Sequence, residues 1–190
     1  MSCAPIEVVF TARGAGTIVG DMQQAGISLR LADRGNLQAM AWVGGGYKHT
    51  VADHPLDLGR PHHAATVFDP DRRQLRLYLD GVLQGTPLAI EGVFKPSPYR
   101  MTLAADLTHY TGRPGPAPDH RFEGDIEEVR ISQGARYTTN FKPQWRLASE
   151  KSTLLLYHFD EGRGTEAYDS SGNGLHGTIE KGRWVTRPVK

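Results

Sequence analysis

The fold is decided by one stretch of the chain, residues 75–83, which read LRLYLDGVL. Three leucines alternate with Arg76 and Tyr78, and this period of two is typical of a half-buried β-strand. The pair Asp80-Gly81 follows directly and is succeeded by further apolar residues. An Asp-Gly loop favours the type I′ turn, because both residues adopt positive φ and the turn matches the twist of its strands. The stretch therefore predicts an antiparallel β-hairpin.

The same alternation recurs along the chain. Residues 27–31 (ISLRL) and 101–105 (MTLAA) repeat it. Further apolar runs occur at 6–12, 37–43, 64–68 and 154–159. Almost no stretch sustains a helical period beyond two turns, whereas turn signals recur roughly every 8 to 15 residues between about ten short strands. We therefore predict an all-β fold, a two-sheet antiparallel jelly-roll sandwich, as a single domain over residues 1–190.

Composition narrows the function classes. The 190 residues include 22 Lys and Arg against 21 Asp and Glu, which gives no basic stripe for nucleic acid. No apolar run approaches the roughly 20 residues that span a bilayer. Cys3 is the sole cysteine, so an internal disulfide and a cysteine-based metal site are both excluded. We expect no nucleic-acid partner, no membrane span and a monomeric isolated domain.

Three passages carry a resemblance to a known family. They are residues 62–69 (HHAATVFD) with 75–82 (LRLYLDGV), residues 122–132 (FEGDIEEVRIS), and residues 154–177 (LLLYHFDEGRGTEAYDSSGNGLHG). Together they resemble the laminin-G-like (LamG) jelly-roll domains of the concanavalin A-like lectin/glucanase superfamily. The resemblance implies a non-catalytic recognition module that binds carbohydrate or a surface or matrix protein. It also implies an extracellular, cell-surface or periplasmic location within a larger bacterial protein.

The order of these passages departs from the family pattern. The DSSGN passage ordinarily opens the domain, whereas here it lies near the end of the chain, at residues 169–173. Circular permutation is the interpretation we favour, since the termini of sandwich domains are often close together at the surface. The alternative is a tandem array cut out of frame, which would leave unpaired edge strands.

An acidic strand offers the alternative of catalysis. Glu123, Asp125 and Glu127 alternate, and paired carboxylates perform glycoside hydrolysis in concanavalin A-like glucanases. Against this, a β-bulge near Glu127-Glu128 would bury Ile126, Val129 and Ile131 together and leave the acidic pair a structural role. A glycoside hydrolase using residues 123–128 thus stays an alternative, and a structural spacer is the second one. No catalytic residue is predicted, because the sequence contains no HExxH or GxSxG motif.

The loop 169–180 (DSSGNGLHGTIE) has the oxygen-donor spacing of an EF-hand. However, only Asp169 and Glu180 would be charged ligands, and His176 occupies an apolar position of that motif. In the structural interpretation, Asp, Ser and Asn side chains bond nearby backbone amides instead. Because laminin-G-like domains in some cases carry calcium, the resemblance makes Asp169 a candidate calcium ligand, and no other cofactor is expected.

Aromatic residues near loops are the candidate ligand-binding residues, because sugar rings stack on aromatic faces. Trp42 and Tyr47 bracket the glycine run Gly44–Gly46. His109 and Tyr110 lie in the proline-rich stretch 106–120, which we predict to be a long irregular loop. The alternative for Trp42 is ordinary core packing. These four residues are our predicted binding residues for a glycan or protein ligand.

Overall fold

The fold comes from a computed structural model that describes residues 5–108 and 117–186. Within these ranges the structure consists of strands, turns and irregular segments, and no helix is long and apolar enough to cross a membrane. The described strands are β1 (Ile6–Ala12), β2 (Gly16–Gly20), β3 (Ile27–Leu31), β4 (Asn36–Val43), β5 (Gly46–Pro55), β6 (Pro61–Asp69), β7 (Gln74–Leu79), β8 (Val82–Ala89), β9 (Thr102–Leu103), β10 (Asp106–Thr108), β11 (Ala117–Asp119), β12 (Gly124–Ser132), β13 (Thr153–Tyr157), β14 (Glu166–Ala167) and β15 (Gly177–Thr178).

Two antiparallel sheets form a sandwich. The six-stranded sheet has the order β13-β12-β1-β6-β7-β8 and the five-stranded sheet the order β5-β4-β3-β2-β9. Alternate residues of both sheets point inward and form one continuous core, which includes Ile6, Val8, Phe10, Leu29, Leu37, Ala39, Val43, Leu75, Leu77 and Val129. The predicted all-β, two-sheet antiparallel sandwich is confirmed, and its architecture is that of a concanavalin A-like jelly roll.

The predicted hairpin is present between β7 and β8. Asp80 has φ 49° and Gly81 has φ 80°, as a type I′ turn requires. The Asp80 carboxylate accepts a hydrogen bond from the His63 amide at 2.9 Å and contacts His62 Nδ1 at 2.8 Å. The turn is therefore held by the neighbouring strand β6 as well as by its own backbone preference.

The predicted bulge in β12 is also confirmed. Val9 pairs with Glu128 and Phe10 pairs with Ile126, so Glu127 is the extra residue opposite β1. Because a bulge resets which side chains share a face, Ile126 and Val129 both point into the core.

The outer face of the six-stranded sheet is covered by residues 133–150, which we name the connecting segment. Its Tyr137 and Phe141 rings stack with centroids 3.6 Å apart and contact Tyr78 on β7 at 6.0 and 5.4 Å. Both sides of strands β1 and β6 are thereby buried.

Two sequence predictions need correction. The alternating run 101–105 forms a strand only at Thr102–Leu103, because Ala104 has φ 58° and interrupts it. The stretch 106–120, predicted as an irregular loop, contains the paired strands β10 and β11. The alternating pattern of residues 101–105 gave no sign of the interruption at Ala104. The proline-rich composition of residues 106–120 gave no sign that β10 and β11 pair.

Candidate functional site

The outer face of the five-stranded sheet carries an aromatic pair, in which Tyr47 is exposed and Trp42 is half-buried. Leu37, Ala39, Ala41 and Val43 of β4 point into the core, so the alternate residues of this strand point outward. Trp42 is one of these residues and lies opposite Tyr47 of β5. The two rings meet edge to face with centroids 4.6 Å apart, and Tyr47 is 47% exposed. The structure thus brings together two of the predicted ligand-binding residues and places neither in the core.

Further outward side chains extend this face along β4 and β5. Met40 lies opposite His49, and Gln38 lies opposite Val51. From Trp42 to Gln38 the face runs four residues, or about 13 Å at the rise of a β-strand. Sequence reasoning missed these residues, although the alternation in residues 37–43 and the Gly44–Gly46 turn together contain the signal.

Polar groups border the row on the side of β3. Arg30 donates from Nε to Gln38 Oε1 at 3.2 Å. Ser28 lies opposite Met40 but is buried. The open part of the face therefore lies over β4 and β5, with a guanidinium and an amide at one end and two aromatic rings at the other.

The loop between β2 and β3 forms a rim beside the rings. The backbone N–H of Gln24 donates a hydrogen bond to the Tyr47 hydroxyl oxygen at 3.1 Å, and Gln24 has φ 52°. Gly26, at φ 78°, is required because an added Cβ would lie 2.1 Å from Asp21 Oδ1. This packing fixes the orientation of the Tyr47 ring.

Two carboxylates anchor the rim loop. Asp21 Oδ1 accepts from the Ile27 amide at 2.8 Å, and Asp106 Oδ1 accepts from the Met22 amide at 3.1 Å. Burial, opposed by the Ile27 hydrogen bond and reinforced by the charge of Asp106, raises the pKa of Asp21 to about 6. Burial likewise raises the pKa of Asp106. The rim therefore contains two acidic groups whose ionisation is disfavoured by their surroundings.

A shallow cavity of about 310 Å³ opens near this end of the sandwich, and its lining includes Phe68, Ile90, Gly92, Val93 and Phe94. It adjoins the β4–β5 turn, since the Gly44 amide donates to the Val93 carbonyl at 3.2 Å. Its walls come from the end of β6 and from the segments that follow β6 and β8, and they include the charged residues Asp71 and Arg73 beside the apolar side chains.

The other predicted ligand-binding residues, His109 and Tyr110, lie outside the described residues. The hairpin that leads to them, β10–β11, is described only at its base.

Three carboxylates of the acidic strand, those of Asp125, Glu127 and Glu128, accept hydrogen bonds from other parts of the chain. The Asp125 carboxylate accepts hydrogen bonds from both terminal nitrogens of the Arg13 guanidinium group. Thr11 Oγ1 donates to Glu127 at 3.5 Å. Glu128 is buried and accepts from the Leu147 amide at 3.0 Å. These contacts favour a structural role, in line with the interpretation of residues 127–128 as a structural pair.

The Asp169 carboxylate organises its own loop. Oδ1 accepts from the amides of Leu156 and Ser171 at 3.0 and 2.9 Å. Oδ2 accepts from Ser171 Oγ at 2.8 Å and from the Leu175 amide at 3.0 Å. The pKa of Asp169 is lowered, because these hydrogen bonds outweigh the raising effect of burial.

This donor set does not fit a calcium ion. Both oxygens of Asp169 already accept hydrogen bonds from N–H or O–H groups. The short strand β14 precedes the motif and the short strand β15 lies within it, whereas an EF-hand loop is flanked by helices. Glu180, the other charged position of the motif, lies near Arg100, at 3.9 Å. In the described part of the chain, no group of three or more His, Cys, Asp or Glu side chains is arranged around a metal position.

A two-sheet antiparallel sandwich with this strand order, one outer face covered and the other partly open, defines the class of concanavalin A-like jelly-roll domains. The profile of the concanavalin A-like lectin/glucanases superfamily (Laminin_G_3) matches residues 7–140. The chain therefore belongs to this superfamily, as the resemblance implied. The comparison with curated proteins found no match to this chain.

Solved structures share the fold at low sequence identity. A protein provisionally described as carbohydrate-binding, from Bacteroides ovatus ATCC 8483, superposes with TM-score 0.67 at 21% identity, over 94% of this chain and 54% of that one. The chain thus spans about half the length of that protein. The CBM40 of the Ruminococcus gnavus IT-sialidase, bound to α2,3-sialyllactose, gives TM-score 0.55 at 15% identity over 69% and 75% of the two chains. Mouse laminin α1 domains LG4-5 give 0.55 at 16% identity, over 78% and 39%.

Proposed function

We propose that the protein is a non-catalytic carbohydrate-binding module that recognises its ligand on the outer face of β4 and β5. The observation that carries the proposal is the edge-to-face pair of Trp42 and Tyr47 on this surface. Such rings offer apolar faces to the C–H surface of a sugar, and they lose little conformational entropy on binding.

The remaining groups of the face suit an extended ligand. Gln38, Arg30 and His49 supply hydrogen-bond donors and acceptors along the row from Trp42. Sugars need such groups for orientation, while stacking supplies much of the contact area. A row of about 13 Å accommodates a short oligosaccharide rather than a single ring.

The comparisons support this proposal through the fold alone. Two of the similar structures are described as carbohydrate-binding, and one contains a bound oligosaccharide. The absence of a catalytic role is part of the proposal, and it is supported by the tethered carboxylates of Asp125 and Glu128. Exposure of a binding face to external glycans accords with an extracellular or cell-surface location, which we propose with it.

The proposal is tested by thermal melts of the purified chain across a panel of oligosaccharides. A ligand that binds the native state alone stabilises it by about 2.7 kcal/mol at 100 times its dissociation constant. We expect at least one oligosaccharide to raise the melting midpoint. Its affinity should fall at least about tenfold in Trp42→Ala, which corresponds to ~1.4 kcal/mol.

Trp145→Ala is the matched control, because Trp145 is 52% exposed but lies on the connecting segment. Equal losses in the two variants, or hydrolysis of the oligosaccharide, would overturn the proposal. A midpoint unaffected by any sugar would instead favour a protein ligand or a structural spacer.

A further inference from the structure

His62, the second residue of β6, is a buried histidine that joins three segments of the chain. Its Nδ1 lies 2.8 Å from Asp80 Oδ2 in the turn between β7 and β8. Its Nε2 lies 3.0 Å from the backbone carbonyl oxygen of Asp57, in the loop between β5 and β6. Since His62 is only 7% exposed, its ring depends on these two partners for its hydrogen bonds.

The two partners decide which ring nitrogens carry a proton. A backbone carbonyl oxygen can only accept a hydrogen bond, so Nε2 must carry one proton. Burial raises the pKa of Asp80, but the hydrogen bonds from the His62 ring and from the His63 backbone N–H outweigh this effect and lower the pKa. The Asp80 carboxylate is therefore ionised and also accepts, so Nδ1 must carry a second proton. A ring with both nitrogens protonated is an imidazolium cation.

The charged groups around the ring favour this cation. The hydrogen bond to Asp80, opposed by burial and reinforced by the Asp57 carbonyl and by the charges of both carboxylates, raises the pKa of His62. Arg60 pairs with the Asp57 carboxylate at 3.2 Å and so weakens the effect of that carboxylate on the ring. From β1 the neighbouring ring is that of the uncharged Phe10, with centroids 6.2 Å apart. Asp80 is thus the main charge partner of His62.

Loop 57–60, which the Nε2 bond holds in place, is exposed along its length. Its apolar residue Leu58 is 53% exposed and contributes little packing. The Gly59 N–H donates to the Ala12 carbonyl oxygen at 2.8 Å. This backbone bond can therefore report whether the loop is in place.

We propose that His62 is a pH-sensitive switch, whose imidazolium form holds loop 57–60 to the β7–β8 turn and whose neutral form releases the loop. A neutral imidazole has one N–H, and the Asp80 carboxylate retains it, because a charged acceptor forms the stronger hydrogen bond. Nε2 then presents a lone pair to the Asp57 carbonyl oxygen, and the two acceptors repel each other. Because the pKa of His62 is raised in the folded state, the stabilisation is complete below the unfolded-state pKa and is lost as the pH rises through the folded-state pKa.

Nitrogen-15 spectra of the histidine rings test the switch with no ligand present. We expect the titration midpoint of His62 to lie above its ordinary value of 6.5, and the neutral ring to carry its proton on Nδ1. Asp80→Asn removes the charge but keeps the turn, because Asn tolerates positive φ and Asn-Gly favours the type I′ turn. This variant should lower the His62 midpoint. Asp71→Asn, at an exposed carboxylate in the turn between β6 and β7, is the control and should leave the midpoint unchanged.

Hydrogen exchange of the Gly59 N–H, expressed as a protection factor, reports on the loop. In the unmodified chain the protection should fall about five- to tenfold as the pH rises through the His62 midpoint, the effect of losing one hydrogen bond. In Asp80→Asn the carboxamide donates to Nδ1 of the neutral ring, whose single proton then lies on Nε2 and binds the Asp57 carbonyl. The protection should therefore stay constant with pH in this variant. In His62→Asn the shorter side chain replaces Nδ1 alone, so the protection should be low at every pH.

A His62 midpoint at or below 6.5 would overturn the proposal, as would a neutral ring protonated on Nε2 in the unmodified chain. Gly59 protection that is equal on both sides of the His62 midpoint would also overturn it, and so would the same fall in Asp80→Asn. If His62→Asn does not fold, the unmodified chain and Asp80→Asn decide.

Discussion

The two outer faces of the sandwich differ in what covers them. The face of the six-stranded sheet is closed by the connecting segment and contains a buried network of charges around Glu7 and Arg130. The face of the five-stranded sheet is open over β4 and β5 and carries Trp42 and Tyr47. A domain of this architecture has two outer faces that could bind a ligand. In this chain the outer face of the six-stranded sheet packs against the connecting segment and contributes to stability instead.

The closed face shows how charges can be held under a covering segment. Arg130 and Glu7 are both fully buried and form two hydrogen bonds of 2.8 Å. Tyr137 of the connecting segment donates to the same carboxylate at 2.6 Å, and Arg136 lies 3.3 Å from it. The connecting segment is therefore fastened to the sheet by stacked rings and by a shared carboxylate.

The largest expected effect is on this network. Arg130→Ala leaves the Glu7 carboxylate buried without its main partner, and removal of one member of a buried pair costs about 3–5 kcal/mol. Urea unfolding monitored by circular dichroism measures the change. Arg13→Ala is the control, because Arg13 makes an exposed pair with Asp125, and it should change the unfolding free energy far less. Equal effects would contradict the account of the closed face.

The pH dependence of stability provides the second prediction. Burial raises the pKa of Glu7, but the neighbouring His63 ring, the hydrogen bonds from Arg130 and Tyr137, and the charge of Arg130 outweigh this effect and lower the pKa to about 2, from 4.5. A carboxyl group whose pKa is lower in the folded state than in the unfolded state stabilises the fold at pH values above its unfolded-state pKa. This stabilisation is lost as the pH falls through the folded-state pKa.

We therefore expect the unfolding free energy to fall by about 3 kcal/mol between pH 5 and pH 2 on account of this group. Denaturant titrations across this range test the sign and size. In Glu7→Gln this contribution should be absent, and an unchanged slope in that variant would contradict the assignment.

The third prediction concerns the contact between the connecting segment and the hairpin turn. Gly81 has φ 80°, and a Cβ added there would lie 1.9 Å from the Phe141 carbonyl oxygen. Gly45 has the same φ with open space around it. Gly81→Ala should therefore cost about 1–3 kcal/mol more than Gly45→Ala, the typical range for overpacking. Equal melting midpoints for the two variants would show that the connecting segment does not hold the turn.

The smallest expected effect concerns calcium. Since both oxygens of Asp169 are engaged by hydrogen-bond donors, we expect millimolar calcium and EDTA to give the same melting midpoint. A rise with calcium that disappears in Asp169→Ala would confirm the calcium prediction made from the sequence.

Local signals in the sequence predicted the local structure. The pair Asp80-Gly81 predicted the hairpin turn. In residues 125–131, a regular strand would place acidic and apolar side chains on the same face, and this predicted the bulge in β12. The buried charge network of the closed face could not be predicted, because Glu7 and Arg130 are separated by 123 positions along the chain. Their partnership depends on sheet order, which alternation does not encode.

Only the local part of the candidate site could be predicted from the sequence, because its other contacts depend on strand register and on the packing of a separate loop. Trp42 and Tyr47 flank a short glycine turn, so their proximity is local and was anticipated. Met40 and His49 join them only through the register of β4 against β5, and Gln24 only through the packing of a separate loop. His109 and Tyr110 remain predictions, as do the permutation and the monomeric state.

The central claim is that the open face binds carbohydrate, and the three tryptophans test it most directly. Their indole N–H signals in a ¹H–¹⁵N spectrum report on Trp42, Trp145 and Trp184 separately. On titration with an oligosaccharide that stabilises the chain, the account predicts that the Trp42 signal shifts in a saturable manner while those of Trp145 and Trp184 do not. A saturable shift at Trp145 or Trp184 with Trp42 unchanged would contradict it.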